Sequence, residues 1–130
     1  MKTEQARLRN VIRTVVQYRG GAGQWAWVFQ RISGVAVLLF LLIHIADFLL
    51  IFWPSWYDKM AALYHHPAFR IGEVLLVAAV LYHALNGLRI ILIDFFPGLT
   101  LHQRRLFYAV WAVFVVIFIP GAYVMLKPLL

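Results

Sequence analysis

Three long apolar runs dominate the chain, at residues 32–53, 71–93 and 106–126. An α-helix rises about 1.5 Å per residue, so about 20 apolar residues cross the roughly 30 Å hydrocarbon layer of a bilayer. Each run meets that length, and the pattern predicts an all-α integral membrane protein with three transmembrane helices in one domain over residues 1–130. The runs end on breakers or charge: Trp53, Pro54 and Trp56 after the first, Pro97 and Gly98 after the second, Lys127 and Pro128 after the third. Tryptophans at such edges fit an interfacial belt. Ahead of the first run, Arg7, Arg9 and Arg13 alternate with Val11, Ile12, Val15 and Val16. Residues 4–18 therefore read as a short basic helix lying on the membrane, within a basic segment 1–24 and before a hinge at Gly20, Gly21 and Gly23. The apolar run starts too late and is too long for a signal peptide.

Composition agrees: 64% of the residues are hydrophobic, against roughly 45–50% in soluble domains. The charge balance is 12 Lys+Arg against 5 Asp+Glu, and most of it lies outside the spans. Lys2, Arg7, Arg9, Arg13, Arg19 and Arg31 precede the first span and Arg104 and Arg105 join the second to the third, while the other side holds only Lys59, Arg70 and Lys127. The positive-inside bias places the N-terminus in the cytoplasm and the C-terminus outside, across the cell inner (cytoplasmic) membrane. Anionic lipid headgroups are the natural partners of these charges. Nucleic acid is not implied, because no soluble domain displays the charge. There is no cysteine, which excludes thiolate-held iron–sulfur clusters in this chain.

Ionisable groups inside a bilayer are costly and mark candidate sites. His83 has Ala79 one turn before it and Gly87 one turn after, a strip nearly free of side chains on which a flat macrocycle can lie. Imidazole is an axial ligand for haem iron; the alternative is that His83 bonds a neighbouring helix and the small residues permit close packing. His44 is flanked by Phe40 and Phe48 instead. With Arg31 and Arg89 at the cytoplasmic interface, His83 lies about 9 Å deep and His44 about 20 Å deep, at levels suited to two stacked haems. Each iron then needs a second histidine from another chain. Arg31 and Ser33, beside Gln30 and behind Trp25 and Trp27, gather donors and flat apolar surface where the first span begins, which suits a quinone; the alternative is an ordinary interfacial anchor. Arg89 and Asp94, five residues apart, fall on different helix faces, and Asp94 is a candidate proton relay. Asp47, Glu73, His65 and His66 read as solvated residues of the outer side.

The stretch Gln30-Arg31-Ile32-Ser33-Gly34, followed by Leu81-Tyr82-His83-Ala84-Leu85-Asn86-Gly87-Leu88-Arg89 and Asp94-Phe95, resembles the cytochrome b membrane-anchor subunit of succinate dehydrogenase. The likeness covers residues 18–126. It implies an anchor that, with a second three-helix anchor subunit supplying the other axial histidine, holds an iron–sulfur subunit and a flavoprotein subunit on the cytoplasmic face. Electrons from succinate then reach membrane quinone. The haem b ligand of the family falls on His83, with Gly87 beside it. The quinone region falls around Trp27, Arg31 and Ser33, with Asp94 nearby and Arg31 also close to a haem propionate. Trp27 and Gln30 depart from the serine and histidine of single-haem members, whereas His44 resembles the first-helix histidine of two-haem members. The same likeness extends to fumarate reductases and other membrane dehydrogenases; a haemless structural or assembly protein is the contrasting reading.

Overall fold

The computed structural model describes residue 9 and residues 21–129; apart from Arg9, the surface helix expected over residues 4–18 lies outside the described residues. Among the described residues the elements are α1 (Ala22–Leu49), α2 (Pro54–Tyr64), α3 (Pro67–Phe95) and α4 (Gln103–Leu126), with 3₁₀ turns at Leu50–Phe52, Pro97–His102 and Lys127–Leu129. Three helical stretches, Ala22–Phe52, Pro67–Phe95 and Pro97–Leu126, are long and apolar enough to cross a membrane.

The first helix begins ten residues ahead of its apolar run. Ala26, Phe29 and Ser33 recur at helical spacing, and Ala26 and Ser33 are buried, so packing against the other helices carries α1 past the apolar stretch. Gly21 is the helix N-cap and Gly23 lies inside α1. Gly23 is therefore no hinge: a Cβ there would stand 3.4 Å from Gln103 Oε1, which ties the start of α1 to the start of α4.

Apolarity alone did not predict α2. Trp53, at φ −130° and ψ 80°, lies outside the helical region that a following proline disfavours, and Pro54 then opens the helix at its first position. The chain reverses at His65 and His66. His66 Nδ1 accepts from Ala68 N–H at 3.2 Å, capping α3, which again opens on a proline. Lys59 lies over the Trp56 ring at 5.0 Å. Helix α4 runs continuously through Pro120.

Helix α3 packs against both α1 and α4, which also touch each other. On the α4 side a ring cluster joins Phe29 to Tyr82 at 5.7 Å and to Trp111 at 5.6 Å, and continues to Phe114. The polarity is inverted relative to a soluble domain: Asn86 is 0% exposed, while Phe52 and Phe95 are each 76% exposed. In lipid the outside of a bundle is apolar, and polar groups gain by facing inward toward partners.

Candidate functional site

The polar interior lies between α1 and α3. His83 turns its ring onto α1, with Nδ1 3.2 Å from Ser33 Oγ and 3.3 Å from the Gln30 carbonyl oxygen. The Ser33 hydroxyl also donates to that carbonyl at 3.1 Å. Nε2 faces the Gln30 side-chain nitrogen at 3.4 Å. Gly34 makes this approach possible, because a Cβ there would stand 3.1 Å from His83 Cε1. One turn along α3, a Cβ on Gly87 would be in ordinary contact with the Gln30 amide at 3.7 Å. The strip beside His83 at Gly87 is thus faced by Gln30 of α1 rather than left open.

Two turns of α3 extend the network. Asn86 donates to Gln30 Oε1 at 2.9 Å and to the Ala26 carbonyl at 3.4 Å. Arg89 donates to Asn86 Oδ1 and, across to α4, to the Gln103 carbonyl, both at 3.4 Å. Its Nε is buried with no partner among the described residues.

Beside this network opens a cavity of about 360 Å³ lined by Trp27, Gln30, Arg31, Asn86, Arg89 and Asp94 among others. The Arg31 guanidinium stacks over the Trp27 ring at 4.2 Å, which desolvates one face of the cation and leaves its edge N–H donors free to point elsewhere. Two guanidinium groups and one carboxylate share the wall, so the cavity suits an anionic group or an electron-rich oxygen. Arg89 and Asp94, expected on different faces, both reach it at the end of α3.

The structure brings together Trp27, Arg31 and Asp94 around this cavity. Ser33 is 5% exposed and directed at His83; it does not line the cavity.

His44 lies apart, exposed on α1, stacked on Phe40 with ring centroids 5.3 Å apart and edge-on to Phe48 at 5.4 Å. It lines a larger cavity of about 640 Å³ with Phe40, Asp47, Tyr64, Gly72 and Glu73. The Tyr64 hydroxyl donates to Asp47 Oδ2, and this bond, with burial and the carboxylate charge, pushes the phenol from 10.0 up to about 12. Asp47 is therefore a partnered group, not a freely solvated one as expected.

Asn86 and Gln103 join the site without having been singled out from the sequence, and Gln30, read there only as a neighbour of Arg31, bonds to both His83 and Asn86. For Asn86 a signal existed, since a carboxamide within an apolar span carries the same desolvation penalty that drew attention to the histidines. The Tyr82 hydroxyl is buried among rings with no partner among the described residues, and nothing in the structure accounts for it. Among the described residues no cluster of three His, Asp or Glu could hold a bare metal ion. Iron held by His83 would have to bring most of its ligands with it, as a porphyrin does.

The succinate dehydrogenase/fumarate reductase transmembrane subunit family matches residues 5–122. The succinate dehydrogenase 2 membrane subunit SdhC of Mycobacterium tuberculosis is 41% identical over 108 residues, covering 82% of this chain and 79% of that protein. The succinate dehydrogenase hydrophobic membrane anchor subunit of Halobacterium salinarum is 32% identical over 90 residues, 68% of each.

Proposed function

Because the chain belongs to the succinate dehydrogenase/fumarate reductase transmembrane subunit family, we propose that it is the haem b anchor of a succinate dehydrogenase and forms part of the site where membrane quinone is reduced. The observation that carries this reading is the state of His83. Its Nδ1 faces two oxygen acceptors and its Nε2 faces an N–H donor, so Nε2 holds the lone pair that an axial ligand needs. Haem bound there supplies one-electron transfer between the iron–sulfur subunit and quinone. A histidine of the second anchor subunit would supply the other ligand to the iron.

In the cavity beside the network, Arg31 offers a planar fork of N–H donors to a quinone carbonyl oxygen and balances the negative charge that gathers on it. The Trp27 ring supplies a flat apolar wall for the quinone ring, and Asp94 is the proton-carrying group, since reduction to quinol takes up two protons with two electrons. The Arg31 guanidinium at the cavity wall also suits an anionic substituent such as a haem propionate. A second haem at His44, also completed by the partner anchor, is supported by the 640 Å³ cavity and by its separation from His83. The basic N-terminal side faces the cytoplasm, where the flavoprotein and iron–sulfur subunits dock, and the C-terminus lies outside.

One observation favours a haemless structural subunit: both nitrogens of His83 already have a partner within the chain. The purified complex separates the two readings. Reduction should bring out cytochrome absorbance bands in the wild type that are missing from His83→Ala. Bands that are absent from the wild type, or unchanged in the variant, would favour the haemless subunit.

A further inference from the structure

The orientation of every group around His83 follows from Arg89. A guanidinium carries only donors, so the Asn86 atom it reaches at 3.4 Å is the carbonyl oxygen. The Asn86 nitrogen is then the atom that donates to Gln30 Oε1 at 2.9 Å. Gln30 in turn can present only its amide nitrogen to His83 Nε2, at 3.4 Å. A donor facing Nε2 makes Nε2 the unprotonated nitrogen, and the one proton of the neutral imidazole is left on Nδ1. On that side the single O–H of Ser33 is committed to the Gln30 carbonyl at 3.1 Å, so the Ser33 lone pairs receive Nδ1–H at 3.2 Å, with the carbonyl sharing it at 3.3 Å. Ser33 is 5% exposed, and Gly34 beside it brings α1 within contact of the ring.

We propose that Ser33 is a positioning residue for His83: its hydroxyl, with the Gln30 carbonyl, holds the ring in the Nδ1–H tautomer and aims Nε2 at the iron, while the Gln30 amide occupies Nε2 until haem displaces it. The proposal rests on the reading of His83 as a haem ligand. A ligating histidine whose other N–H is held by an oxygen acceptor donates more strongly to its metal. Stronger donation favours oxidised iron and lowers the midpoint potential, so losing the Ser33 oxygen raises it.

The test is a redox titration of the haem bands in the purified complex, with the low-spin electron paramagnetic resonance spectrum, for Ser33→Ala and for the isosteric pair Ser33→Thr and Ser33→Val. Thr and Val differ only in the hydroxyl, so any crowding by the added methyl group cancels between them. The proposal expects Ala and Val to titrate at a higher potential than the wild type with shifted g-values, and Thr to stay near the wild type. Haem lost from Ala and Val but retained in Thr supports the same assignment. Thr and Val titrating together, or Ala titrating with the wild type, overturns it. Failure of the underlying reading has a different signature, namely cytochrome bands that are absent from the wild type or survive in His83→Ala.

Discussion

Gly34→Ala probes the contact on which the α1–α3 interface turns. The added carbon would lie 3.1 Å from His83 Cε1 and 3.5 Å from Nδ1. Carbon pairs rest at about 3.5 Å or more, so the ring or α1 must give by about 0.4 Å. The ring cannot simply swing away, since Ser33, the Gln30 carbonyl and the Gln30 amide surround it. Overpacking of this kind costs about 1–3 kcal/mol. Replacing a helical glycine by alanine also contributes about 0.8–1.0 kcal/mol of helix propensity, which partly masks that cost. Gly121→Ala removes the ambiguity: Gly121 also lies inside a helix, and its Cβ would meet nothing within 4 Å. The thermal unfolding midpoint of the purified complex should therefore fall for Gly34→Ala relative to Gly121→Ala, by the equivalent of about 1–3 kcal/mol. Gly34→Val should fall further. A Gly34→Ala midpoint equal to or above that of Gly121→Ala would refute the reasoning, because it would mean that α1 does not press on His83.

Arg31→Lys keeps the charge but removes the planar fork; losing one charge-assisted hydrogen bond of about 1.5–3 kcal/mol should lower quinone reduction about tenfold to a hundredfold while succinate oxidation by an artificial dye persists. Equal loss of both activities would indicate damaged assembly. Asn86→Ala removes the donor to Gln30 and the acceptor for Arg89 at a fully buried position, and should cost about 1–2 kcal/mol in thermal unfolding of the complex; a wild-type midpoint would count against the network. Tyr64 should ionise near about 12 in the wild type and return toward 10.0 in Asp47→Asn, read as the ultraviolet titration difference against Tyr64→Phe. Because its pKa is raised in the folded state, the stabilisation from this pair is complete below pH 10 and lost as pH rises through about 12. An Asp47→Asn titration that overlays the wild type would exclude the bond.

What the sequence made legible was whatever depends on local composition. The three spans could be read because crossing a bilayer needs a run of apolar residues, and the histidines stood out because charge is rare there. The early start of α1 was not legible, since it depends on Ala26 packing against other helices. Nor was α2, whose mixed residues carry no span signal; its proline start is a capping feature rather than a hydropathic one. At the site, the sequence placed Trp27, Arg31 and Asp94 near one interface, and the structure gathers them around one cavity. It could not tell that Ser33 turns to His83, fifty residues away, or that Gln30 faces Gly87. Those contacts are set by the register of α1 against α3, which no pattern within either helix specifies. The Tyr64–Asp47 pair was hidden for the same reason, because the chain reversal through α2 brings them together.

The most direct measurement is a density map of the assembled complex around His83. The account predicts a flat macrocycle bound through iron to Nε2, with Nδ1 still against Ser33 and the Gln30 carbonyl and the Gln30 side chain moved off the ring. An imidazole touching only protein or lipid, with the Gln30 amide still on Nε2, would contradict it.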